Sequence, residues 1–150
     1  MRSFEHLADL PALIGEPLGD SDWLTIDQAR IDHFADATGD RQWIHTDPQR
    51  AAQGPFGATI AHGFLTLSLL PVFFESAYRI ADVRMSVNYG VNRVRFTAPV
   101  PVDSRLRARF TLRTWEAVDG GAQLGIEALI ERDGSAKPVC VAESLIRCYT

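Results

Sequence analysis

The sequence predicts a single α+β domain in which an antiparallel sheet wraps around one buried central helix. Residues 60–78 are apolar on nearly all sides of a helical projection, and a helix that is apolar all round is buried. From residue 85 onward, apolar and polar residues alternate between turn residues, which is typical of consecutive antiparallel strands. An early helix, a buried helix and then a run of strands indicate the α+β class. In a chain of 150 residues, a sheet wrapped around the helix is the simplest way to bury it.

The N-terminal part of the chain is predicted as loop, strand and helix. Turn-forming residues predict loop and edge structure in the first twenty positions: Pro11, Gly15, Pro17 and Gly19. Residues 21–26 predict a first strand. Thr25 and Gln28 have the spacing of a capping box, in which Thr25 is the N-cap and Gln28 reaches back. Helical spacing of apolar residues continues to Gly39, which is expected to end the helix.

Residues 40–57 are predicted to be a long irregular segment. Asp47 and Pro48 can open one short helix within it, through Ala52, with Asp47 as the N-cap. Long ordered loops of this kind are usually functional.

The C-terminal half is predicted as strands joined by tight turns. Apolar residues alternate on odd positions from Met85 to Val91 and on even positions at Val94 and Phe96. Because a slip of one residue flips every side chain, this change of phase predicts a β-bulge near 90–92. The remaining strands and hairpin turns are expected in this order: 106–112, Asp119-Gly120, 124–130, Asp133-Gly134 and 139–149.

Composition argues against several classes of function. The net charge is −4, whereas nucleic-acid-binding domains are usually basic. The N-terminus lacks the apolar core of a signal peptide, and the apolar run 64–74 is too short to span a bilayer. Cys140 and Cys148 fall in one predicted strand, roughly 26 Å apart at the rise of a strand, so they cannot pair with each other. We expect a reduced, soluble, cytoplasmic protein with no nucleic-acid or membrane partner.

Asp40 and His45 are the candidate catalytic pair. On a helix, their spacing of five residues would put them roughly 140° apart. A turn between Thr38-Gly39 and Asp47-Pro48 would instead let the two side chains converge. Asp and His held together can bind a water, with one group removing a proton and the other returning it. Each residue also has a structural alternative, Asp40 as a turn residue and His45 as an ordinary, partly buried histidine.

The start of the buried helix is a second candidate site, because Ala61-His62-Gly63 leads into the apolar run. Backbone N–H groups at a helix N-terminus stabilise negative charge. A glycine there lets a carbonyl oxygen approach its N–H without a side chain in the way. Tight packing of the helix against the sheet is the alternative reason for Gly63. An acid–base pair and an anion site are together the groups that an enzyme needs to add water beside a carbonyl.

Other polar residues are weaker candidates. Four side chains could be imagined as metal ligands: Asp40, His45, Asp47 and His62. Their spacings do not match those of zinc sites, so we expect no metal. Ser68 and the two cysteines lack a nucleophile elbow. A stripe of arginines could bind phosphates or form the solvated face of a strand, and Arg93 and Arg95 are alternative phosphate partners. The stripe consists of Arg105, Arg107, Arg109 and Arg113.

Four ordered motifs carry a family resemblance: Gly39-Asp40, Gln42-Trp43-Ile44-His45, Asp47-Pro48 and Ile60-Ala61-His62-Gly63. Together they resemble the MaoC-type dehydratase family, the (R)-specific enoyl-CoA hydratases, over nearly the whole chain. The resemblance implies a hot-dog domain over residues 1–150. Gln42-Trp43 stands where Asn-Pro is common in the family. This difference lies in the wall of the site and bears on the accepted acyl chain length more than on the reaction.

The same resemblance implies a hydro-lyase of fatty acid metabolism. Its reaction would be syn addition of water to a 2-enoyl-CoA, giving the (3R)-hydroxyacyl-CoA, or the reverse dehydration. Asp40 and His45 would be catalytic, and the Gly63 N–H would bind the thioester oxygen. Gln42 and His62 would belong to the substrate site, with His62 also hydrogen-bonding the loop that carries Asp40. An acyl-CoA or acyl-carrier thioester as substrate, no cofactor and a homodimer are implied as well.

Two other functions remain as alternatives. A thioesterase on the same scaffold also needs a carboxylate and a helix terminus, and the pairing of Asp40 with His45 favours hydration only loosely. A non-catalytic acyl-thioester binding protein is the other alternative, because a fold alone does not determine chemistry. The presence of both polar residues argues against it.

Overall fold

The computed structural model describes residues 1–150 as an antiparallel sheet packed on two consecutive helices. The strands are β1 (Arg2–Phe4), β2 (Pro17–Asp20), β3 (Leu24–Ile26), β4 (Tyr78–Ile80), β5 (Met85–Phe96), β6 (Ser104–Val118), β7 (Gly121–Arg132) and β8 (Cys140–Tyr149). The α-helices are α1 (Gln28–Thr38), α2 (Trp43–Thr46), α3 (Pro48–Ala52), α4 (Gly63–Ser68) and α5 (Leu70–Ala77). A 3₁₀ helix covers Leu7–Leu13. The α+β class is confirmed.

Six strands form the main sheet. Five follow the order β2-β6-β7-β8-β5, and β3 also pairs with β6; every pairing is antiparallel. The hairpin turns use Gly120 and Gly134 at φ values of 72° and 73°, a left-handed conformation that glycine adopts without strain. The predicted bulge is confirmed, because the register between β5 and β8 shifts at Asn88/Gly90 and again at Val91/Arg93.

The central helix consists of α4 and α5, which are separated by Leu69 alone. Pro71 accounts for the interruption, because it has no N–H to bond the carbonyl of Leu67. On the side facing the sheet, Leu65, Leu69 and Phe73 are buried. They belong to a core of 27 buried residues that includes the inward side chains of β6, β7 and β8. Burial of this apolar face ties the helix to the sheet.

The opposite side of the central helix is open within the single chain. Phe64 is 70% exposed and Val72 is 46% exposed. The helix also begins at Gly63 instead of the predicted residue 60. The predicted burial therefore holds for the face toward the sheet, whereas the outer face is available for contact with a substrate or another chain.

The first 26 residues contain more strand than their turn residues suggested. β1 pairs in parallel with β4, and β2 pairs with β6 in the region predicted as loop and edge. The strand predicted at 21–26 begins only at Leu24. Proline and glycine are compatible with edge strands, and β2 is such a strand, with Pro17 and Gly19 at a shift in its register.

The capping box was predicted at the wrong residue. Asp27 is the N-cap of α1, and its carboxylate accepts the Arg30 N–H at 2.9 Å. Thr25 lies within β3, where pairing with Arg105 of β6 holds its backbone extended. Gln28 is the first residue of α1, and its side chain bonds Asp32, His45 and Thr59 instead of the backbone of Thr25.

Other local predictions are confirmed. Gly39 ends α1 at a φ of 79°, and the Asp47 carboxylate caps α3 by accepting the Arg50 N–H at 3.0 Å. Cys140 and Cys148 are free thiols. The segment 40–57 contains α2 as an additional helical turn.

None of the helices is long and apolar enough to cross a membrane.

Candidate active site

Asp40 lies directly after α1, where the left-handed backbone of Gly39 turns the chain away from the helix axis. The Gln42 N–H lies 3.4 Å from Asp40 Oδ1, and the Asp40 N–H lies 3.4 Å from the hydroxyl of Thr38. The Asp40 side chain is exposed. A carboxylate held by its own loop and open on one side can accept a hydrogen bond from a water or a substrate.

His45 lies on α2 and is only 7% exposed. Its Nδ1 is 2.7 Å from the carbonyl oxygen of Ile60. Because a carbonyl can only accept a hydrogen bond, Nδ1 carries the proton and Nε2 keeps its lone pair in the neutral ring. His45 is therefore held in the tautomer that can accept a proton at Nε2.

The pKa of His45 is lowered from its ordinary value of 6.5. Burial is the largest cause, because it disfavours the charged ring, and the hydrogen bond to the Ile60 carbonyl opposes it. The neighbouring His62 lowers the pKa further, and Asp40 raises it. The neutral ring is consequently the favoured form near pH 7.

His62 connects the two parts of the site. Its Nε2 is 2.8 Å from the backbone carbonyl oxygen of Asp40, so Nε2 carries a proton and donates it. Its ring stacks on His45 with 3.8 Å between centroids and 24° between planes. Its Nδ1 is buried without a hydrogen-bond partner. The predicted hydrogen bond from His62 to the loop carrying Asp40 is thus present.

Asp40, His45 and His62 form a compact cluster, with one polar side-chain atom of each lying within 4.8 Å of the others. Such a set raises the question of a metal. The lone pairs of two stacked rings lie in nearly parallel planes, so they do not converge on one ion with the tetrahedral geometry of zinc. Asp47 is outside the cluster and caps α3. The geometry suits a bound water better than a metal.

A cleft of about 370 Å³ opens at His45 and Gly63. Apolar side chains form most of its other walls, including Phe56 before α4 and Phe96 on β5. Gly63 is the first residue of α4, so its N–H has no acceptor within the helix. A Cβ at Gly63 would come within 2.8 Å of the Phe96 ring, so glycine allows the close contact found here. The cleft can hold a carbonyl oxygen at this N–H and an acyl group against its apolar walls.

Gln42 is placed differently from the other predicted site residues. It is the N-cap of α2, is exposed, and its side chain makes no capping hydrogen bond. The residues lining the cleft do not include it. Its backbone N–H, pointing to Asp40, is its visible contribution to the site.

Some residues of the site could not be found from motifs. Phe56 and Phe96 carry no local signal, because they reach the cleft from a loop and from a distant strand. Gln28 and Thr59 are linked by a hydrogen bond of 2.5 Å across 31 positions, a separation that periodicity does not detect.

The arginine stripe forms ion pairs on β6. Arg107 pairs with Glu131 at 3.0 Å and Arg113 pairs with Glu127 at 2.7 Å, and the other two arginines also have carboxylate partners. These ion pairs favour the solvated-face alternative over phosphate binding.

Burial raises the pKa of Cys140 to about 11, which keeps this thiol protonated at neutral pH and argues against a nucleophilic role.

An antiparallel sheet around a central helix, with an Asp–His pair beside the first turn of that helix, defines the class of hot-dog proteins. Residues 9–127 match the family model described as "MaoC like domain". The chain therefore belongs to the MaoC-like dehydratase family and is an enzyme of the hydro-lyase class.

Its relatives agree with this assignment. The chain is 55% identical over 148 residues to 3-hydroxyacyl-thioester dehydratase Z of Mycobacterium tuberculosis, with 98% of each chain covered. It is 48% identical over 141 residues to nodulation protein N of Rhizobium leguminosarum, covering 91% of this chain and 86% of the relative. Among solved structures, R-hydratase PhaJ1 from Pseudomonas aeruginosa superposes with a TM-score of 0.70 at 21% identity, covering 91% of this chain and 81% of that one. The predicted hot-dog fold is confirmed.

Proposed function

We propose that this protein adds water reversibly to 2-enoyl thioesters and forms (3R)-hydroxyacyl thioesters. The observation that carries the proposal is the convergence of Asp40 and His45, whose polar atoms lie within 4.8 Å of each other, beside a cleft that contains Gly63. The dehydratase activity named for the Mycobacterium tuberculosis relative, at 55% identity, supports a hydroxyacyl thioester as the substrate class.

The thioester oxygen is the atom that needs stabilisation. A 2-enoyl thioester is electrophilic at C3, and attack by water there moves charge onto this oxygen as an enolate. In the proposed complex the oxygen accepts the Gly63 N–H at the start of α4, where no helical carbonyl competes for it. The acyl group lies against Phe56 and Phe96.

Asp40 and His45 act on the water. Nδ1 of His45 is hydrogen-bonded to the Ile60 carbonyl at 2.7 Å, so Nε2 is the ring atom available for proton transfer. One member of the pair removes a proton from water as the oxygen attacks C3, and the pair returns a proton to C2. Close Asp–His pairs titrate jointly, so the proton belongs to the pair. Because both groups belong to one cluster, water and proton are delivered to the same face of the double bond.

The acyl chain follows the central helix in this proposal. Beyond the cleft, a cavity of about 360 Å³ lies beside Leu67, Leu70 and Val91. A further cavity of about 340 Å³ lies beside Phe74 and Tyr78. Both contain Pro71 and Asn88 in their walls, so the two cavities lie next to each other between the helix and β5.

We also propose a homodimer formed through β5. This strand is an edge of the main sheet, and it exposes five large apolar side chains: Met85, Val87, Tyr89, Val91 and Phe96. A long edge strand with exposed apolar residues favours pairing with another chain. Two copies joined edge to edge would cover this strand and bring the open faces of their central helices together.

The proposed reaction is tested by mixing the protein with crotonyl-CoA and following the ultraviolet absorbance of the enoyl thioester. Loss of that band with (3R)-hydroxybutyryl-CoA as the product supports the hydratase. Appearance of free thiol instead would show a thioesterase. No reaction with crotonyl-CoA or with longer enoyl thioesters would favour the non-catalytic binding protein.

A further inference from the structure

The side chain of Gln28 links two segments of the active site. Its Nε2 donates to the backbone carbonyl oxygen of His45 at 2.8 Å and to Asp32 Oδ1 at 2.8 Å. Its Oε1 accepts the hydroxyl proton of Thr59 at 2.5 Å. Both N–H groups and the oxygen of the amide are therefore used, and the side chain has one well-defined orientation.

Thr59 extends this link to the atom that fixes the His45 tautomer. Thr59 is 1% exposed and directly precedes Ile60, whose carbonyl binds Nδ1 of His45. The Ile60 N–H donates to the carbonyl of Ile44 at 3.0 Å. Gln28 thus contacts the backbone of His45 on one side and the neighbour of Ile60 on the other.

The segment that Gln28 holds is weak by itself. α2 has only four residues, and isolated helices this short are not stable in water. Its position must come from tertiary contacts. The buried hydroxyl of Thr59 would also lose its acceptor without Gln28, and an unpaired buried polar group is unfavourable.

We propose that Gln28 is a positioning residue, which through Thr59 and the backbone carbonyl of His45 holds the His45 imidazole at its angle to Asp40 and its Nδ1–H on Ile60. It touches neither the substrate nor the reacting atoms. The kinetic part of this inference rests on the proposed hydratase function.

Gln28→Glu tests the proposal, because glutamate has the shape of glutamine and keeps an acceptor for Thr59. It loses the donors to His45 and Asp32 and places negative charge beside two oxygens. A small displacement of a catalytic group can cost about 10²-fold in rate. We expect kcat for crotonyl-CoA to fall by about 10- to 100-fold, with KM changed by less than about twofold. Gln123→Glu is the matched control. Gln123 lies on β7 and contacts Arg147 of β8, so this variant should leave kcat unchanged.

The His45 imidazole provides a readout that a general loss of stability would not move. In the wild-type protein, NMR of selectively ¹⁵N-labelled histidine should show His45 as a single Nδ1–H tautomer with a slowly exchanging proton. In Gln28→Glu we expect faster exchange of this proton and a mixed tautomer.

A pair of substitutions at Thr59 keeps the test decisive if Gln28→Glu does not fold. Thr59→Ser keeps the hydroxyl and should retain wild-type kcat within about threefold, whereas Thr59→Val removes it and should lower kcat by about tenfold or more. Equal kcat values for the two variants, or a Gln28→Glu protein with wild-type kcat and wild-type His45 signals, would overturn the proposal. If the wild-type protein hydrates no enoyl thioester, the proposed function fails, and the His45 tautomer in Gln28→Glu still decides the role of Gln28.

Discussion

At the scale of single residues, His45 shows how the site sets both the charge and the tautomer of one ring. Burial lowers the pKa of His45, and the Ile60 carbonyl fixes the proton on Nδ1. These two effects leave a neutral ring with a free Nε2, in the cluster that also contains Asp40. The same fold that excludes water from the ring therefore prepares it to accept a proton.

The pH dependence of the reaction follows from the lowered pKa. Protonation of His45 occupies Nε2, so kcat/KM for hydration should fall as the pH falls through the pKa of the folded enzyme. Because that pKa is lowered, the midpoint of the acid limb should lie below 6.5. The measurement is kcat/KM across the acid and neutral range, and the limb assigned to His45 should vanish in His45→Gln. A midpoint at or above 6.5 would contradict the burial argument.

Loss of either member of the catalytic pair should abolish most of the activity. A positioned acid–base group contributes about 10²- to 10⁴-fold, so Asp40→Asn and His45→Gln should each lower kcat by at least about 10²-fold. Asp47→Asn is the matched control, because it makes the same chemical change nearby and asparagine still caps a helix. If Asp40→Asn kept most of the wild-type kcat, the assignment of Asp40 would be wrong.

At the scale of elements, the start of α1 has a defined energetic role. Asp27→Ala removes the side-chain acceptor of the Arg30 N–H and should lower the free energy of unfolding by about 0.5–2 kcal/mol. Asp27→Asn keeps an acceptor and should stay close to the wild type. Denaturant unfolding gives both values. The structural assignment of the cap fails if Thr25→Ala is costly and Asp27→Ala is not.

The elements also show what the sequence could predict. The end of α1 at Gly39 and the short helix after Asp47 depend on local backbone preferences, and the bulge in β5 depends on the phase of the apolar alternation. All three were predicted correctly. Thr25 is not the cap because the pairing of β3 with β6, a tertiary contact, holds it within the strand. The interruption of the central helix at Pro71 has a local cause, the missing N–H, but the prediction missed it because the apolar pattern continues across the break.

The residues of the candidate site also divide into those that local motifs identify and those that only the fold brings together. Asp40, His45 and Gly63 lie in ordered motifs beside turn and helix signals, so the sequence could single them out. Gln28 was singled out for a capping role that the structure corrects. Its contacts with His45 and Thr59 span 17 and 31 positions, and only the assembled fold brings these residues together.

At the scale of the whole molecule, the sheet edge at β5 is the feature that remains open in the single chain. Val87 is 42% exposed there and Tyr89 is 55% exposed. We expect light scattering to give twice the mass of one chain, and Val87→Lys to shift the protein toward the monomer by burying a charge at the edge. Ile14→Lys, at an exposed apolar residue outside the sheet, should remain dimeric. A wild-type monomer would contradict the proposed dimer.

The central claim is that Asp40 and His45, from one side of a bound enoyl thioester, deliver both parts of water. The most direct measurement is hydration of crotonyl-CoA by the wild-type protein in D₂O, followed by determination of the configurations at C2 and C3 of the product. The arrangement of the pair predicts that deuterium is added syn to the hydroxyl, and the proposed function predicts the (3R)-hydroxy product. An anti adduct, or a (3S) product, would contradict it.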